Sequence, residues 1–133
     1  MPTVLVPIGD GRSLLYIAGQ VSMLDGKRLT GRCPDEVSIE EAQIAARACG
    51  ISLLAQIEAA AGLAKVEQVA QLIAFVLSTP EFGDQPKVIN AASDLLIEVL
   101  GEAGRHSRAA LGASSLPFSC TVEIAAVVVV RAG

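Results

Sequence analysis

The stretch Val69 to Leu77, VAQLIAFVL, holds a single polar residue, Gln71, in an otherwise apolar run. A strand with one face in water alternates apolar and polar side chains, and this one does not. It reads as a strand placed centrally in a sheet. A second run, Thr121 to Val130, is rich in β-branched residues and reads as the last strand. One of its faces is Glu123, Ala125, Val127 and Val129; the other is Val122, Ile124, Ala126, Val128 and Val130.

Working outward from these two strands, Val4 to Ile8 and Leu14 to Ala18 read as strands joined at the turn Gly9-Asp10-Gly11. Asp25-Gly26 marks a further turn. Ser38-Ile39-Glu40-Glu41 is a capping box, in which the Ser oxygen accepts from the Glu41 N–H and the Glu side chain reaches back. Behind it Ile39, Ala42, Ala46, Cys49, Leu53, Ile57 and Ala60 recur at steps of three or four, the stripe of a long helix closed by Gly62. Gly50 weakens its middle by about 1 kcal/mol relative to Ala. A second helix opens near Asp84-Gln85-Pro86, carries the stripe Val88, Ala92, Leu95, Val99, and ends at Gly101 and Gly104. Arg105 to Ala113 is a candidate strand, and Leu116-Pro117 turns the chain into the last one.

The order is β-β-α-β-α-β-β, an α+β single domain over residues 1–133 with two helices packed on one face of the sheet. Strands apolar on both faces leave the second face as a larger patch than soluble monomers expose, so a homo-oligomer is expected.

Composition removes several classes of function. The net charge is −4, which does not suit a surface that follows phosphate backbones. With three Phe, one Tyr and no Trp there is little to stack on bases. Cys33, Cys49 and Cys120 are an odd number with no CxxC pair, so neither a disulfide framework nor a zinc site is expected, and a reducing cytoplasm suits them. Met-Pro-Thr-Val lacks the basic start of a secretion signal, and the apolar run Ile124 to Val130 is too short to span a bilayer. No cofactor is called for.

Chemistry concentrates near the end of the chain, in GEAGRHSRAALG, residues 101–112. Glu123 is the lone carboxylate entering the last strand, and burying it calls for a cation or several donors. Arg108 is the natural partner, because its strand and the last strand read as hairpin neighbours. The two then form a structural ion pair, or Arg108 forks onto a ligand carboxylate while Glu123 handles a proton or a water. His106 has no second His and no Cys at metal-ligand spacing, which leaves a surface or turn histidine that nothing in the sequence orients. On a strand Arg105 and Ser107 face opposite to His106 and Arg108, so one of these pairs is expected in solvent. Ser38 is a cap, Cys49 is core, and Cys33 and Cys120 have no activating neighbour in sequence.

Leu15-Tyr16-Ile17-Ala18-Gly19-Gln20-Val21, Ala59 to Leu63, Val66-Glu67-Gln68-Val69, Arg108, Leu116-Pro117 and Val122-Glu123-Ile124 together resemble the RidA/YjgF family, also known as the L-PSP endoribonuclease family. The likeness runs from about Leu14 to Val130, and DQPKVINAASDLLIEVLGEAGRHSR is similar to one subgroup of it. The resemblance implies a chorismate-mutase-like fold, a homotrimer with clefts between subunits, and hydrolysis of imines or enamines such as 2-aminoacrylate to a keto acid and ammonia. It further implies that Arg108 holds a substrate carboxylate and that Glu123 places the attacking water. Ala110 stands where the deaminating members carry Cys, Ala18 stands where they carry Ser or Thr, and no counterpart of their cleft-lining Tyr is evident. A carboxylate-binding or regulatory trimer without deaminase chemistry is the alternative, and ribonuclease activity is not expected.

Overall fold

The computed structural model describes residues 1–131. Strands β1 (Thr3–Gly9) and β2 (Arg12–Val21) form the first hairpin, followed by a small one, β3 (Met23–Leu24) with β4 (Lys27–Arg28), around Asp25-Gly26. Then come α1 (Ile39–Ala60), β5 (Val66–Leu77), α2 (Gln85–Leu100), β6 (Ser107–Ala113) and β7 (Val122–Arg131). Five strands make the main sheet in the order β1-β2-β7-β5-β6. All pair antiparallel except β5 with β6, which run parallel.

The parallel pair corrects one expectation from sequence. β6 is not the hairpin neighbour of β7; it is the edge strand, and β5 lies between them. The reason is the helix that joins β5 to β6. A crossover through α2 returns the chain to the same end of the sheet, so the two strands it links run in the same direction.

One face of the sheet is closed by the two helices. Val122, Ile124, Ala126, Val128 and Val130 are buried beneath them with Leu15, Val69, Leu72, Leu53, Ile57, Ile89 and Leu96. The capping box at Ser38 is formed in both directions, at 3.0 Å each way. The Ser38 N–H holds the Glu41 carboxyl below the usual carboxylate range. Gly50 faces α2: a Cβ there would lie 3.0 Å from Leu95 Cδ2 and 3.5 Å from Ala92 Cα, so the lost helix propensity is exchanged for close helix packing. On α2 the buried face is centred on Ile89, Ala92 and Leu96, which leaves Val99 half exposed at the end of the stripe rather than in the core. The other face of the sheet has no helix. Tyr16, Ile73 and Leu111 are exposed on it, beside half-buried Ala125, Val127 and Val129.

All three thiols are inside, and burial pushes each of them up from its ordinary range, Cys49 furthest. Native protein at pH 8 is therefore expected to resist Ellman's reagent and to release three equivalents only in denaturant. Fast labelling of the native chain would show a thiol that opens to solvent. Ser38→Ala is expected to cost about 1 kcal/mol, seen as a lower urea midpoint at unchanged slope. Since the Glu41 carboxyl is depressed in the folded chain, the capping contribution is present above the unfolded carboxylate range and fades as pH falls through the folded value. An unchanged midpoint in Ser38→Ala would mean that packing alone starts α1.

Candidate functional site

Arg108 lies on β6 beside buried Leu72 of β5, so its side chain enters the helix layer. There α2 receives it. Nη1 donates to Ser93 Oγ at 3.0 Å, and Nη2 donates to Asn90 Oδ1 at 2.8 Å and to the Pro86 carbonyl at 3.3 Å. These three bonds use three of the five guanidinium N–H groups and leave the others for a ligand. Every protein acceptor is neutral, and Arg108 takes part in none of the ion pairs among the described residues. By contrast Arg12, Arg32, Arg105 and Arg131 each lie against a carboxylate.

His106 corrects a second expectation, since the fold does orient it. Its Nδ1 lies 2.6 Å from the Gly104 carbonyl, which can only accept, so Nδ1 carries the proton. On the neutral ring Nε2 then accepts from Ser93 Oγ at 2.8 Å. Ser93, Ile97, Arg105, His106 and Arg108 line a cavity of about 210 Å³. The strand begins at Ser107 rather than at Arg105, so Arg105 and His106 precede it; Arg105 pairs with Glu102 at 3.2 Å with both side chains largely in water, and Ser107 is exposed.

Glu123 sits elsewhere. It pairs with Phe75 across β5 and is half-buried on the open face of the sheet, opposite to the helix layer that holds Arg108. The expected Arg108–Glu123 ion pair is therefore absent: the side chains leave the sheet on opposite sides, with β5 between their strands. Glu123 takes part in no ion pair among the described residues. Its side chain folds across Gly19, where β2 is interrupted against β7 between Ile17 and Gln20. A Cβ at Gly19 would overlap the Glu123 carboxylate, so any larger residue there would make that carboxylate swing aside.

Ala110 occupies the helix-facing side of β6, packed against the core, and offers no nucleophile. No group of three or more His, Cys, Asp or Glu suited to a metal ion exists among the described residues. Among the described residues no helix is long and apolar enough to cross a membrane.

Asn90 and Ser93 were not legible as site residues from sequence. The signal was present: a hydroxyl residue in the buried stripe of α2, only 8% exposed between Ile89 and Leu96, needs a polar partner.

Comparison with known proteins places these features in a wider group. The YjgF/chorismate mutase-like family model matches residues 6–128. Protein TCP17 of Trypanosoma cruzi is 43% identical over 117 residues, covering 86% of this chain and 73% of its own length. The crystal structure of the protein Atu1372 of Agrobacterium tumefaciens superposes with a TM-score of 0.90 at 45% identity, over 98% of this chain and 81% of that one. More distantly, Escherichia coli TdcF shares the fold at 21% identity and a TM-score of 0.63, over 96% and 86% of the two chains. A sheet of this order, two helices on one face, and a sequence match over nearly the whole length make the chain a member of the YjgF/RidA, chorismate mutase-like family.

Proposed function

We propose that this chain binds a small carboxylate metabolite, with Arg108 as the seat for its anionic group. The observation that carries this reading is a cation anchored to α2 by neutral acceptors, with no carboxylate among the described residues paired to it. A guanidinium held in this way keeps both its field and its remaining donors for a ligand. The resemblance to imine-deaminating Rid proteins implies a substrate with such a group, and TdcF was crystallised with serine bound, an amino acid with a carboxylate.

Turnover is the second reading: hydrolysis of an imine or enamine to a keto acid and ammonia, with Glu123 directing water. The free carboxylate of Glu123, folded over Gly19 on an apolar face, favours it. Against it stand Ala110 and Ala18 in place of the polar groups of deaminating members, and the separation of Glu123 from Arg108 by the thickness of the sheet. Turnover thus requires a cleft completed by a second copy. A homotrimer closed over the open face supplies one and also covers Tyr16, Ile73 and Leu111. An acidic chain with only three Phe and one Tyr to stack on bases makes nucleic acid a poor partner. A cytoplasmic setting fits three free thiols.

Arg108→Lys keeps the charge but loses the planar fork, so pyruvate affinity by calorimetry is expected to fall roughly ten- to a hundredfold, equivalent to about 1.5–3 kcal/mol. Glu123→Gln should leave that affinity intact. Equal pyruvate binding by wild type and Arg108→Lys would return Arg108 to the scaffold. Ammonia release from freshly generated 2-aminoacrylate that wild type accelerates above the spontaneous rate, with the acceleration lost in Glu123→Gln, decides for turnover; no acceleration by wild type decides for binding alone. Sedimentation is expected to show a trimer, and a stable monomer at micromolar concentration would remove the shared cleft.

A further inference from the structure

We infer that Ser93 and His106 are positioning residues for the anion seat: a hydrogen-bonded chain from the Gly104 carbonyl through His106 and Ser93 sets where the Arg108 guanidinium points. The inference rests on the reading of Arg108 as the seat and names what prepares it.

Each link has a fixed direction. The Gly104 carbonyl accepts from His106 Nδ1 at 2.6 Å, so whenever the ring is neutral it presents a bare Nε2 to Ser93. Ser93 then donates its one proton to Nε2 at 2.8 Å, and its oxygen lone pairs turn toward Arg108 Nη1 at 3.0 Å. A serine without the histidine could rotate its hydroxyl hydrogen toward the guanidinium side, and the acceptor would be lost for part of the time. His106 removes that freedom. Linked donors of this kind also polarise one another, which strengthens the bond to the cation.

The two ends of the chain are tied to a single helix. Ser93 is on α2 and only 8% exposed. Gly104 is buried against the backbone of the same helix, where a Cβ would collide with the Leu96 carbonyl. The carbonyl that fixes the imidazole and the hydroxyl that fixes the guanidinium therefore move as one body. Asn90, one helical turn before Ser93, holds Nη2 at 2.8 Å and completes the frame. Two nitrogens gripped from one rigid surface leave the guanidinium plane little freedom to rotate, so less entropy is lost when an anion binds.

The test reads the guanidinium directly as well as the ligand. In ligand-free wild type, ¹⁵N NMR is expected to show resolved, slowly rotating Nη signals for Arg108. Ser93→Ala and His106→Ala should each collapse them and weaken pyruvate binding by about tenfold, the loss of one hydrogen bond to a charged group. Ser93→Thr, which keeps the hydroxyl, should restore both readouts. Because the two residues form one chain, the double variant should bind no more weakly than either single one. Unchanged Arg108 signals in His106→Ala overturn the inference, as do losses that add in the double variant. His106 lies outside α2, so His106→Ala keeps the test open if Ser93→Ala disturbs the helix. If wild type binds no pyruvate, the seat fails, yet collapse or persistence of the Arg108 signals in ligand-free protein still decides for or against the positioning chain.

Discussion

The crossover from β5 through α2 to β6 constrains most of what this molecule can do. Because the helix carries the chain back before β6 begins, β6 pairs parallel to β5 and becomes the sheet edge. Arg108, at the second position of that strand, is thereby delivered to the helix that made the crossover. The same connection forces the chain to pass from β6 over to the far side of β5 before β7 can start. Arg108 and Glu123, only fifteen positions apart in sequence, end on strands separated by β5, and they face opposite ways because their partners on β5, Leu72 and Phe75, are an odd number of residues apart. No local substitution near either residue would bring them together while the crossover stands.

The sheet's two faces obey different rules for the same reason. The helices desolvate most of one face, and polar groups buried there must be matched, as Ser93 is. The other face is apolar yet uncovered, and Glu123 can sit on it without a cation because part of its carboxylate still reaches water. A carboxylate in that position would become costly once the face closed, unless the covering surface brought a donor. The polar group on the open face is thus informative about what must lie across it, whereas those on the closed face are already accounted for.

What could be read from the chain follows the range of the interactions involved. The capping box, the hairpin turns and the alternation of β7 depend on neighbours within a few residues, and all stand as read. The partner of β6 depends on handedness and on which strand fills the centre, and reading β6 and β7 as a hairpin ignored the helix that precedes β6. The stripe on α2 was displaced by part of a turn because Val99 matches the periodicity but runs past the core. The site was half legible. Arg108 stood out by charge. Ser93 was hidden within an apolar stripe, and the orientation of His106 comes from a carbonyl and a hydroxyl that meet it only after folding.

The choice of partners around Arg108 bears on what the cavity can accept. Arg32 forks onto Asp35, with contacts of 2.6–3.1 Å; such a one-to-one pair is locally neutral and attracts no further anion strongly. A carboxylate beside Arg108 would anchor it as firmly and would cancel the potential in the cavity. Hydroxyl, amide and carbonyl oxygens supply directional bonds without net charge, so the guanidinium is held while its field stays open. Removing part of its hydration without a counter-ion leaves the cation under-compensated, a state that an incoming anion relieves. Neutral anchoring and readiness to bind an anion are therefore one property of this site, and the hydroxyl of Ser93 carries both.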